Sequence, residues 1–87
     1  METRIAVLGI IVENPDATDQ LNRILHDYSG YIVGRLGIPY RKRGLSVISI
    51  IIDAPADAIS ALTGKLGMLE GVSAKALYAK VEGGHDS

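Results

Sequence analysis

Two segments of the chain are apolar almost throughout, residues 5–12 (IAVLGIIV) and 47–52 (VISIII). A strand sends successive side chains to opposite faces, so a strand with one wet face alternates apolar and polar residues. Neither segment alternates, and both read as strands buried on two sides. Elsewhere apolar residues recur at helical spacing: Ala17, Leu21, Ile24, Leu25 and Tyr28 in one stretch, Ala58, Ile59, Leu62 and Leu66 in another. Two helices can cover one face of a small sheet. The other face needs a different cover, and a second copy of the chain is the expected one.

Local signals place the elements. The first strand is expected over residues 3–12. Asn14-Pro15-Asp16 then reads as a helix start, with a capping side chain, a Pro tolerated in the first turn and an acid near the positive end of the dipole. Ser29-Gly30 ends that helix. A second strand is expected over 31–36, where Gly34 in the interior and Arg35 on one face suit a sheet edge. Residues 37–44 (GIPYRKRG) read as a loop or hairpin connection, and 45–53 as the third strand. Pro55 opens the second helix with Asp53 available as its cap, and Gly67 is the expected stop. The last strand is expected over 72–81, with Lys75 and Lys80 marking a second edge. The order βαββαβ, with right-handed connections, predicts an α+β sandwich. Its four-stranded antiparallel sheet has the order 4-1-3-2, with both helices on one face. The two non-alternating segments then occupy the centre, so pattern and topology agree.

Composition narrows the function. Eighty-seven residues make one domain, expected over 1–82, with a polar frayed tail over 83–87. A domain this small buries a modest share of its surface and gains from oligomerisation, and without cysteine there is neither a disulfide nor a thiolate metal site. A net charge of −1 speaks against direct binding to nucleic acid or to an anionic membrane. The first apolar run is too short to span a bilayer and lacks a signal-peptide cleavage pattern, so the expected location is cytoplasmic.

Several segments together carry a resemblance: residues 32–41 (IVGRLGIPYR), Val47-Ile48-Ser49, residues 61–67 (ALTGKLG), Gly71-Val72, and the opening Arg4-Ile5 with Gly9 to Glu13 (GIIVE). Over residues 3–81 the chain resembles the small regulators of the iron-only hydrogenase system, a family similar to ACT domains and to the C-terminal domain of nickel-responsive regulators. The resemblance implies a ferredoxin-like, ACT-type fold and oligomers built through the sheet, either dimer or tetramer. It also implies a protein partner in hydrogenase control or maturation. The nickel site of the nickel regulators does not carry over, because those place His and Cys ligands on and near the third strand and this strand has neither. With no DNA-binding segment before the first strand, any effect on transcription is expected to run through a partner.

The candidate chemistry is sparse. His26 and His85 are the only histidines, and a metal site needs three or four converging ligands. A solvated His26 accounts for its position. The Arg41-Lys42-Arg43 run beside Tyr40 reads first as a solvated loop tip, and as the alternative it offers a bidentate fork to a carboxylate or phosphate. Gly34 and Gly37 flank Arg35 and mark a bulge, a close backbone approach, or a bend. Gly64 lies inside the second helix, where Gly costs roughly 0.5–1 kcal/mol relative to Ala, so close packing by a helix or ligand is expected there, the alternative being a last turn loosened by Gly64 and Gly67. No Ser/His/Asp set, nucleotide glycine loop or zinc spacing occurs. Acylphosphatases, which share the fold class, need a phosphate-cradling loop with an Arg after the first strand, and the loop here (Glu13-Asn14-Pro15) is acidic and holds no Arg, which argues against anion chemistry at that position.

The reading is a non-enzymatic regulatory module that binds a small molecule at a subunit interface. Its candidate positions are Asn14, Gly34, Arg35, Gly37, Tyr40, Arg41 and Gly64, and the sequence names no cofactor. The alternatives are an assembly partner without a ligand and a small α+β enzyme.

Overall fold

The computed structural model describes residues 2–80. Strand β1 (Arg4–Val12) leads through a 3-10 turn (Pro15–Ala17) into helix α1 (Thr18–Asp27). A second 3-10 turn (Ser29–Tyr31) opens β2 (Ile32–Tyr40), and a third (Arg41–Arg43) joins it to β3 (Leu45–Ala54). Helix α2 (Ala56–Gly67) and β4 (Val72–Tyr78) follow and are the last elements among the described residues. The sheet order is β2-β3-β1-β4 with every pairing antiparallel, which is the expected 4-1-3-2 order.

Alternation decides which residues enter the core. On β1, Ala6, Leu8, Ile10 and Val12 turn to the helices; on β3, Ile48, Ile50, Ile52 and Ala54 do the same. They pack with Leu21 and Leu25 of α1 and with Ile59, Leu62 and Leu66 of α2, and all are buried. Fully burying one such side chain contributes roughly 1.5–3 kcal/mol. Both helical stripes expected from spacing therefore face the sheet. No helix among the described residues is long and apolar enough to cross a membrane.

The expected helix start at Asn14-Pro15-Asp16 opens the 3-10 turn rather than α1 itself, which begins at Thr18 behind Ala17 with no side-chain cap. Asn14 Oδ1 accepts the Asp16 N–H at 3.1 Å and Pro15 occupies the first position of the turn. Four other expectations are corrected. Strand β2 does not stop at Leu36 but runs through Gly37, Ile38 and Pro39 to Tyr40, pairing Ile38 with Val47 and Tyr40 with Leu45. An edge strand tolerates Pro because a missing N–H need not break a ladder. The connection shrinks to the Arg41–Arg43 turn, closed by Gly44 in the left-handed region at φ 67°. Asp53 does not cap α2; it stays in β3 opposite Ile5, and α2 begins behind Pro55 without a side-chain cap. Helix α2 does end at Gly67, but the left-handed glycine of that connection is Gly71, at φ 76°. Strand β4 ends at Tyr78, so Lys80 lies beyond it. The expected tail at 83–87 and His85 lie outside the described residues.

Candidate functional site

The face of the sheet away from the helices carries Ile5, Val7 and Ile11 of β1, Val47 and Ile51 of β3, Leu36, Ile38 and Tyr40 of β2, and Leu77 of β4, every one exposed. The register makes them neighbours: Val7 lies between Ile51 and Leu77, and Val47 between Ile11 and Ile38. Polar interruptions are few, chiefly Ser49 beside Gly9, Lys75 on the β4 edge and Asp53 at one corner. Together the nine apolar side chains expose on the order of 800 Å², about what each partner buries in a standard protein interface. Monomers rarely leave so much apolar surface in one patch. The non-alternating sequence of β1 and β3 has its cause here: half of each strand fills the core, and the other half forms this open apolar face.

At one end of the sheet a cleft of about 310 Å³ is lined by Val12, Pro15, Thr18, Pro39, Arg41, Gly44, Leu45 and Ser46. It sits where β1 ends, α1 begins, and the β2–β3 turn folds over. Arg41 brings a guanidinium, Thr18 and Ser46 bring hydroxyls, and Leu45 continues onto the open face beside Tyr40. Asn14 braces the adjoining wall. Its Nδ2 donates to the Glu70 carbonyl at 3.4 Å, the neighbouring Glu13 N–H donates to the Gly71 carbonyl at 2.7 Å, and so the β1–α1 connection is tied to the entry of β4.

The structure thus gathers some of the sequence candidates and separates others. Arg41 enters the cleft, Asn14 holds its wall, and Tyr40 lies on the open face at its rim. Gly34 sits at a bulge, where the register shifts between Ile32 and Gly34 and leaves Val33 unmatched. Arg35 and Gly37 point to the helix side of β2, opposite Ile50 and Ile48. Gly64 stands apart on α2, where an added Cβ would meet no atom within 4 Å. Among the described residues nothing packs on it, so the expected close packing is not found there. Gly64→Ala is therefore expected to stabilise the protein by about 0.5–1 kcal/mol, since Ala removes the helix penalty of Gly and fills open space. A thermal melt with Tm raised by several degrees and unchanged native mass would bear this out, and a lowered Tm would overturn it.

Sequence reasoning missed the cleft residues Pro15, Thr18 and Ser46. The signal for Thr18 and Ser46 is weak, because hydroxyls are ordinary at a helix start and in a strand, and only the fold brings them to Arg41. Among the described residues no polar or charged side chain is buried, and no three His, Cys, Asp or Glu side chains converge. The surface therefore offers charge pairing, hydrogen bonding and apolar contact.

The topology defines the fold class, and comparison with known structures agrees. The chain is similar to the ACT domain from GTP pyrophosphokinase of Chlorobium tepidum, with 20% identity and a TM-score of 0.71 over 100% of both chains. It is also similar to part of a formyltetrahydrofolate deformylase from Pseudomonas putida KT2440, with 15% identity, a TM-score of 0.61, and coverage of 84% of this chain and 28% of that one. At these identities the likeness shows the fold, which is ACT-like. A nearer likeness is to uncharacterized protein TM1266 from Thermotoga maritima, at 36% identity and a TM-score of 0.87 over 91% of this chain and 100% of that one. The model of the TM1266-like family, described as a candidate iron-only hydrogenase system regulator, matches residues 4–76. The chain belongs to this family. No curated protein matches it.

Proposed function

We propose that this protein is a non-enzymatic regulatory module of the iron-only hydrogenase system that works as a homo-oligomer. In this reading two copies meet through the open sheet face, and a small molecule binds in the sheet-end cleft beside that interface. The observation that carries the proposal is the contiguous apolar face on a chain of near-zero net charge, because burying it is the largest free-energy gain the folded chain still has available. The family description and the ACT-like fold support the regulatory role. A ligand touching two subunits would favour the assembled state by mass action, and this gives a sensor its output. Arg41, Thr18 and Ser46 supply the polar contacts at the cleft, and Asn14 sets the position of its wall. The oligomer then presents its state to a protein partner in hydrogenase control or maturation.

Native mass spectrometry on protein purified without denaturation tests both parts. The expected spectrum shows a dimer or tetramer with added mass from a retained small molecule. An oligomer without added mass, together with a flat thermal-shift response to amino acids, nucleotides and divalent metals, would leave an assembly partner without a ligand. A monomer at micromolar concentration would overturn the proposal.

A further inference from the structure

A second cleft lies away from the open face, between α1 and the edge strand β2. It has a volume of about 320 Å³ and is lined by Asn22, Leu25, His26, Ser29, Ile32 and Arg35. That volume is at the small end of the usual range for ligand sites. We infer that it is a binding site for a small organic anion, a carboxylate or phosphate monoester whose apolar part rests on Leu25 and Ile32. This site is separate from the sheet-end cleft and does not depend on the function proposed there.

The polar groups converge for a structural reason. Asn22 and His26 are four residues apart on α1 and share a helix face, with Ser29 just beyond. Arg35 reaches this face because the register after the Val33 bulge turns it to the helix side of β2. There Arg35 Nη2 donates to Asn22 Oδ1 at 3.3 Å. That bond sets the amide: with Oδ1 accepting from Arg35, Asn22 Nδ2 is left as a donor. The guanidinium has five N–H groups, so one bond to Asn22 leaves a fork for a bidentate acceptor. The Ser29 hydroxyl and the His26 ring can donate as well. The wall is therefore rich in donors.

At the last turn of α1 the Tyr28 N–H donates to the Leu25 carbonyl at 3.1 Å and the Tyr31 N–H to the Tyr28 carbonyl at 3.0 Å, so these two carbonyls are already engaged. No carboxylate lines the cleft. The surrounding chain is equally biased, since residues 28–52 hold Arg35, Arg41, Lys42 and Arg43 and no Asp or Glu. Asp27, next to His26 at the end of α1, is the carboxylate nearest to the lining residues in the chain.

The test is a titration of the full chain with inorganic phosphate and, separately, with acetate, at ionic strength held constant with sodium chloride. It is followed by the NMR signals of the Arg35 Nε–H, the Asn22 amide and the His26 ring. The expected result is a saturable shift of all three groups with one millimolar-range Kd for at least one anion, and the tighter anion identifies the headgroup class. Arg35→Lys keeps the charge but loses the fork, and is expected to weaken binding about tenfold. Arg23→Lys, outside the cleft, is expected to leave Kd unchanged. Linear shifts for both anions, equal shifts at every arginine, or a Kd untouched by Arg35→Lys in a variant with a wild-type methyl spectrum would each overturn the site.

Discussion

If the proposed assembly forms through the open face, Ile51→Glu is expected to leave a folded monomer in place of the oligomer. In a single chain Ile51 is 45% exposed and points away from the helices, so a carboxylate there stays solvated and the core is unchanged. In the proposed assembly the same carboxylate lies under a partner, opposite Val7 and surrounded by apolar side chains. Taking a charge out of water without a partner costs several kcal/mol, and a two-fold interface would bury it twice. Self-association should weaken by about a thousandfold or more, since each 1.4 kcal/mol is a factor of ten. Native mass and sedimentation velocity read the outcome, with circular dichroism reporting that the fold persists. Met68→Glu is the control, because Met68 is 85% exposed beyond the end of α2 and away from the sheet face. If Ile51→Glu keeps the wild-type mass, the open face is not the interface.

Gly71→Ala is expected to destabilise the protein by about 2–3 kcal/mol, two costs acting together. The first is conformational: φ is +76°, a region that side chains with a Cβ rarely adopt. The second is steric, because an added Cβ would lie 2.6 Å from the Asn14 Cβ and 3.2 Å from its backbone nitrogen. Neither atom is the end of a flexible side chain, so the β1–α1 connection must move. That shift loosens the bond from Glu13 to Gly71 and the bond from Asn14 to Glu70. A drop in Tm of about 10–20 °C is expected for a chain of this size. Cleft affinity should fall as well, since Val12 and Pro15 on either side of this connection line the cleft. A Tm within two degrees of wild type would show that the connection accommodates the methyl group.

Both predictions rest on features only partly visible in the amino-acid sequence. The unbroken apolar runs in β1 and β3 pointed to strands without a wet face, and the structure resolves this into a core half and an open half. Residues such as Leu8 and Ile50 sit at 0% exposure, while Val7 and Ile51 remain accessible. The helical stripes were legible for a similar reason: burial against a sheet imposes a 3.6-residue period on apolar side chains. The end of β2 was not legible. Gly37 and Pro39 are strong loop signals, yet at a sheet edge pairing with β3 overrides them. Gly71 was visible only as part of a family-like segment, because the close approach that leaves no room for a Cβ comes from Asn14, far away in the chain.

The candidate site divides the same way. Arg41 and Arg35 stood out as cations beside glycines and a proline. Thr18, Asn22, Ser29 and Ser46 did not, because a hydroxyl or amide acquires a role only from what faces it. The sequence by itself determined the element order, the two helix faces, the central place of β1 and β3, and the apolar character of the second sheet face. These follow from local propensity and hydrophobic period, which act over a few residues. Only the tertiary structure decided the length of β2, the bulge that turns Arg35 toward Asn22, the clasp between Asn14 and the Glu70–Gly71 turn, and the two clefts. Each of these depends on strand register and on contacts between residues distant in sequence, where packing outweighs local preference.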